Sequence, residues 1–191
     1  KQVVDVRDGE IMFGLNMVVH KGKTIFVGDT SVHEYPTSEQ MAEIAISTAR
    51  VVRLFGFEPK VAFVSHSTFG QPLTSRTKHI RKAVDILKEQ KVDFEFDGDM
   101  QPDVALDTEY KELYPFSNIV GKANILIMPG QHSAAISYKM MKTLGDTKVI
   151  GPLLIGLGLP IEIAPLRSST SELINLASVA AYSADIIDYK K

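Results

Sequence analysis

The residues Ala123-Asn-Ile-Leu-Ile-Met128 form a nearly unbroken apolar run that stops at Pro129-Gly130. The run is too short to cross a bilayer and lacks the alternation of a half-exposed strand. It suits a β-strand buried on both faces of a parallel sheet. Such a strand needs helices above and below it, and the remaining sequence has to supply them.

It does so in alternation. Residues 15 to 28 hold two β-branched runs separated by Lys-Gly-Lys, the pattern of a hairpin. From Thr37 the period becomes helical: Met41, Ile44, Ala45, Ala49 and Val52 recur at three- and four-residue spacing, Thr37 and Gln40 form a capping box, and Gly56 ends the helix. A short apolar run from Lys60 to Ser65 leads into a polar loop, His66 to Ser75, and a helix over roughly Thr77 to Gln90. Phe94-Glu-Phe96 predicts a strand turned at Asp97-Gly98. A crossover helix over Ala134 to Leu144, strands at Val149 to Ile155 and Pro160 to Ile163, and a final helix from Thr170 to Tyr189 complete the pattern. That last helix carries Leu173, Ile174, Leu176, Val179, Ala180, Ile186 and Ile187, too many apolar positions for one stripe, and is expected to be buried. The fold class expected is α/β, with a mixed, largely parallel sheet and helices on both faces.

Of the 191 residues, 45% are hydrophobic and 23% charged, enough for one domain with a real core. The net charge of -2 with no basic block argues against nucleic acid as a partner. Zero cysteines exclude a disulfide framework and thiolate metal sites. No secretory leader or membrane-length apolar stretch stands out, so no membrane association is expected and the cytoplasm is the default compartment. The chain opens at Lys1 on a segment that reads as mid-domain, the pattern expected of a piece of a longer polypeptide.

Few residue patterns carry chemistry by themselves. The loop from His66 follows a strand and precedes a helix, where open α/β sheets place ligand contacts; its bland reading is a polar connection. Ser65, His66 and Ser67 are adjacent, and adjacent loop residues rarely form a nucleophile–base pair. Histidines 20, 33, 66, 79 and 132 have no metal-ligand spacing, so no metal site is expected. Gly156-Leu-Gly158 lacks the third glycine and the following helix of a dinucleotide loop. Arg76, Lys78, Arg81 and Lys82 form a basic cluster, usually a solvated face.

Several blocks resemble the phosphotransacetylase family, most closely the copies fused behind bacterial malic-enzyme domains. They are Thr37-Ser-Glu-Gln-Met-Ala-Glu-Ile-Ala-Ile-Ser-Thr-Ala with Phe55-Gly, Ser65-His-Ser-Thr-Phe-Gly70, Asp97-Gly-Asp-Met-Gln-Pro-Asp103 with Ala105, Gly121-Lys-Ala-Asn-Ile-Leu-Ile-Met-Pro129 with Tyr138-Lys, and Ile150-Gly-Pro-Leu-Leu-Ile-Gly156. The Ser-His-Ser pattern at 65–67 is what favours the malic-enzyme copies. The resemblance implies the phosphotransacetylase (isocitrate/isopropylmalate dehydrogenase-like) architecture, with 1–160 the second lobe and 161–191 a returning strand and helix. It implies acetyl-CoA or a related acyl-CoA as ligand, contacts from Ser65, His66, Ser67, Thr68, Gly70, Gln101 and Lys139, and a homo-oligomer. Part of the basic cluster would then meet the phosphates of coenzyme A. No cofactor is implied for this domain; NADP and a divalent metal belong to the absent malic-enzyme domain.

Family enzymes move an acetyl group between phosphate and coenzyme A, using an Asp base near the chain end preceded by an Arg-Gly. Aligned without a gap, those positions hold Glu172, Leu166 and Arg167; shifted so that Arg167 is the cation, the base position falls on Leu173. Either register breaks the pair. Ala135 and Gln71 replace a family Asn and Ser. The resemblance therefore implies a regulatory, acetyl-CoA-binding domain of an NADP-dependent malic enzyme that mediates oligomerisation. Two alternatives are an active phosphate acyltransferase with Glu172 as base and Arg167 as a relocated cation, and a purely structural oligomerisation domain.

Overall fold

The computed structural model describes residues 4–186, with the side chains of Lys111, Asp185 and Ile186 left aside. Its centre is the strand expected at 123–128. β5 (Ile125–Ile127) is fully covered and runs parallel to β2 (Lys23–Gly28) on one side and β3 (Lys60–Val64) on the other. Backbone bonds extend the pairing beyond its named ends: Phe26 N to Asn124 O, Asn124 N to Lys60 O, and Met128 N to Gly28 O. The seven-stranded sheet has the order β4-β3-β5-β2-β1-β6-β7. The pairings set β1 (Phe13–His20) and β7 (Ile161–Glu162) against the direction of the other five strands, β4 (Glu95–Met100) and β6 (Thr147–Ile155) among them.

Alternate side chains of the central strands feed two cores. Phe26, Val61, Phe63, Ile125 and Ile127 join α1 (Ser38–Leu54), α2 (Ser75–Gln90) and Leu176 of α6 (Thr170–Ile186). Val27, Ala62, Val64 and Leu126 face α3 (Pro102–Leu106) and α5 (Gln131–Leu144), with the short α4 (Thr108–Glu112) between those two in the chain. Layers on both faces explain why β5 has no polar alternation.

Local signals act where expected. Lys21 and Gly22 both have positive φ, the twist a two-residue hairpin turn requires. Thr37 and Gln40 cap α1 reciprocally, and Gly56 follows it at φ +81. Two expectations are corrected. Asp97-Gly98 is not a turn: β4 runs through it, because a Cβ at Gly98 would lie 2.7 Å from Cβ of Phe63, and its absence lets the strands stay in contact as far as Met100. The final helix is not buried in this chain. Leu176 lies in the core, but Leu173 and Ile174 are 47% and 59% exposed, since α6 lies along the β6–β7 edge of the sheet and otherwise touches the end of α1, where the Tyr182 hydroxyl donates to Leu54 O, and Lys142 of α5. Ile187 and Tyr189 of that expected helix lie outside the described residues. No helix among the described residues is long and apolar enough to cross a membrane.

Glu162 lies on the edge strand β7 opposite Leu153, and its Oε2 is buried without a hydrogen-bond partner among the described residues. Burial pushes its carboxyl from the ordinary 4.5 up to about 8, against a hydrogen bond from the Leu154 backbone. The folded protein therefore holds this proton where the unfolded chain has lost it. The contribution to stability is fully present below pH 4.5 and is lost as pH rises towards 8. Glu162→Gln is expected to flatten that decline, raising stability at pH 8–9 by about 1–2 kcal/mol after allowance for solvent screening, as read by urea unfolding across pH.

Candidate functional site

Where β3 ends, the chain crosses the carboxyl edge of the parallel strands as the loop Ser65 to Gln71. Its shape is set by the end of β4. Ser65 N–H donates to Met100 O (2.9 Å) and Phe69 N–H to Asp99 O (2.6 Å). The fully buried Asp99 carboxylate accepts from the Ser67 hydroxyl and from Gly70 N–H at 3.1 Å. Gly70 has φ +81, a conformation that favours glycine. Gln101 completes the frame: its N–H donates to Thr68 Oγ1 (3.2 Å) and its amide Nε2 to His66 O (3.0 Å).

Ser65, His66, Ser67, Thr68, Gly70 and Gln101 are thus gathered into one unit. The serine and threonine side chains turn inward and are buried, with Ser67 N–H also donating to Ser65 Oγ at 3.3 Å. His66 is the exposed side chain of the first four, and its ring forms no hydrogen bond with either serine. The arrangement is a rigid polar rim; it holds no nucleophile–base pair. Phe69 seats the rim on the core that α3 and α5 cover, its ring tilted against Tyr114 (5.5 Å) and edge-on to Phe116 (4.9 Å).

The other expected residues stand apart from this unit. Lys139 is exposed on α5, 6.0 Å above the ring of its neighbour Tyr138. Arg167 is exposed in the segment before α6 and forms no ion pair with a described residue. Glu172 receives Lys142 Nζ at 2.6 Å, Ser169 N–H at 2.7 Å and the Ser169 hydroxyl at 3.0 Å, while its own N–H donates back to Ser169 Oγ. This is a capping box at the start of α6. The Lys142 hydrogen bond, followed by those from Ser169, holds the Glu172 carboxyl down at about 2. A general base works best with a pKa near the operating pH, so this carboxylate is poorly matched to taking a thiol proton.

The residue missed by sequence reasoning is Asp99, which the structure makes the organiser of the loop. A second Gly-Asp pair behaves alike. Asp29, after β2, accepts from the N–H groups of Gly14, Ser31, Val32 and His33 at 2.7–3.1 Å and from His33 Nδ1 at 2.7 Å. The available signal was a Gly-Asp dipeptide at the end of two different strands, Gly28-Asp29 and Gly98-Asp99.

A family model for phosphate acetyl/butaryl transferases matches residues 1–181. The chain belongs to that family. It is 45% identical over 184 residues to an NADP-dependent malic enzyme of Rhizobium meliloti (strain 1021), covering 96% of this chain and 24% of that enzyme. It is 35% identical over 162 residues to a phosphate acetyltransferase of Clostridium acetobutylicum, covering 84% of this chain and 49% of the relative. A phosphotransacetylase structure from Streptococcus pyogenes superposes with a TM-score of 0.89 at 29% identity, over 96% of this chain and 57% of that one. This family member therefore spans about a quarter of the malic enzymes it matches and about half of the phosphate acetyltransferases.

Proposed function

We propose that this phosphotransacetylase-family chain is a regulatory domain of an NADP-dependent malic enzyme, an enzyme that oxidises malate to pyruvate and carbon dioxide. It binds acetyl-CoA or a related acyl-CoA as an effector and holds subunits together as a homo-oligomer in the cytoplasm. The likeness to malic enzymes supports the parent activity. The observation that carries the regulatory reading over the transferase reading is Glu172, whose carboxylate is committed to a helix cap and to Lys142. On this reading the rim at 65–71, with Gln101 built into it, supplies the ligand contacts, and Lys139 would reach the ligand from α5.

NADP and the divalent metal are assigned to a domain outside this chain. Among the described residues no group of three or more His, Asp or Glu side chains is placed to hold a metal. Gly156 and Gly158 lead into β7, so no helix N-terminus is available there for a pyrophosphate. Regulation requires acetyl-CoA to bind one quaternary arrangement better than another, since only differential affinity shifts an equilibrium. The test is malate oxidation and oligomer size of the full-length protein, measured with and without acetyl-CoA. The reading expects the rate or its malate dependence to move with acetyl-CoA. An unchanged rate and unchanged size would leave the structural role alone.

A further inference from the structure

We propose that the crevice between the β2–α1 connection and the first turn of α2 receives a phosphorylated planar ring, with Tyr35 as the stacking face and Arg76 as the phosphate contact. The identity of the whole ligand rests on the acyl-CoA reading above, on which the nucleotide end of coenzyme A lies here.

The crevice is a cavity of about 330 Å³ lined by Tyr35, Pro36, Thr37, Arg76, His79 and Pro129 among others. Its lining comes from the carboxyl ends of β2 and β5 and borders α2, which follows the β3 loop. Open α/β sheets bind ligands in this position. Thr37 is the N-cap of α1, Arg76 lies in the first turn of α2, and Pro129 directly precedes the N-cap of α5. Three positive helix ends therefore converge on it, and neither α2 nor α5 has an acidic residue in its first turn.

The side chains add what a helix end alone lacks. Tyr35 is 64% exposed, although a tyrosine ring in a protein is usually well covered. The Arg76 guanidinium sits 5.1 Å over that ring, and the ring of His132 lies 6.5 Å away and nearly parallel to it. Arg76, Lys78 and Arg81 form no ion pair with a described residue, whereas Lys82 is matched by Glu39 and His132 by Glu34. Of the three cations without an ion pair to a described residue, Arg76 is the one that lines the crevice, and its guanidinium is left for an incoming anion. Cations alone would accept any anion. An exposed tyrosine with an arginine fork over its face singles out an anion that also carries a flat ring, because the ring can stack while the guanidinium takes phosphate oxygens in a bidentate grip.

The experiment is isothermal titration of the full-length protein with two probes, acetyl-CoA and adenosine 3′,5′-bisphosphate, against wild type, Arg76→Glu and Tyr35→Ala. Both side chains are exposed, so the variants are expected to unfold at the wild-type denaturant midpoint. Charge reversal at Arg76 is expected to weaken both probes by at least about tenfold, and loss of the Tyr35 ring by about three- to tenfold. Acetyl-CoA bound equally by all three proteins would overturn this proposal and leave the acyl-CoA reading intact. The bisphosphate bound with Arg76 dependence, while acetyl-CoA is not bound, would uphold the crevice and overturn that reading. No binding of either probe to wild type would overturn both.

Discussion

Asp29→Ala is expected to lower unfolding stability by on the order of 3–5 kcal/mol, read as a drop in the denaturant midpoint with an unchanged slope. The carboxylate is buried and accepts from four backbone N–H groups and from the His33 ring. Alanine would leave these donors without an acceptor in a region water cannot easily reach, and each orphaned donor costs about 1–3 kcal/mol. Asp29→Asn separates charge from geometry. Its amide nitrogen would have to face a donor whichever way the group is turned, because both carboxylate oxygens accept N–H groups. The asparagine variant is therefore expected to remain destabilised by roughly 2 kcal/mol or more. The same turn leads to Tyr35, so the alanine variant should also weaken binding at the crevice.

Asp99→Ala is the next largest effect, about 2–4 kcal/mol, by the same reasoning applied to the Ser67 hydroxyl and Gly70 N–H. Here the conservative variant should behave differently. The Ser67 hydroxyl can accept as readily as it donates, so an asparagine that keeps its oxygen towards Gly70 can point its NH₂ at Ser67. Asp99→Asn is expected to cost no more than about 1.5 kcal/mol. Hydrogen exchange should locate the alanine defect in residues 65–71: opening of the loop amides should become easier, while α1 and β5 amides keep the protection that global unfolding allows. Equal cost for the asparagine and alanine variants would contradict the hydroxyl-reversal argument.

Much of the fold was legible because its signals are local. The apolar run at 123–128, the Lys21-Gly22 turn and the Thr37–Gln40 box each place one element by short-range chemistry, and the structure has all three. The start of α2 was set two residues late, at Thr77. The reason is that its cap is the reciprocal pair Thr74–Thr77, in which a threonine takes the third position usually held by Glu or Gln. Gly98 was misread because glycine after aspartate is a turn signal, whereas its use here is close approach to Phe63 on another strand. Local periodicity describes α6 as apolar on several sides but cannot say what covers them, and within this chain only one side packs on the sheet edge.

The candidate site was legible only where it is contiguous. Residues 65 to 71 could be read from one loop, but Asp99 acts from the neighbouring strand and Asp29 from another, through hydrogen bonds no spacing rule anticipates. Tyr35 and Arg76 meet only because the β2–α1 connection and α2 open at the same sheet edge. Glu172 shows the converse. The family pattern marks its position for a base, while the structure gives its oxygens to Ser169 and Lys142.

The most direct test of the regulatory account is titration of acetyl-CoA into the full-length protein, with formation of acetyl phosphate followed in the same preparation after adding phosphate. The account predicts saturable micromolar binding with no acetyl phosphate above a protein-free control. Steady production of acetyl phosphate, lost on Glu172→Gln, would contradict it and make the chain a working acyltransferase.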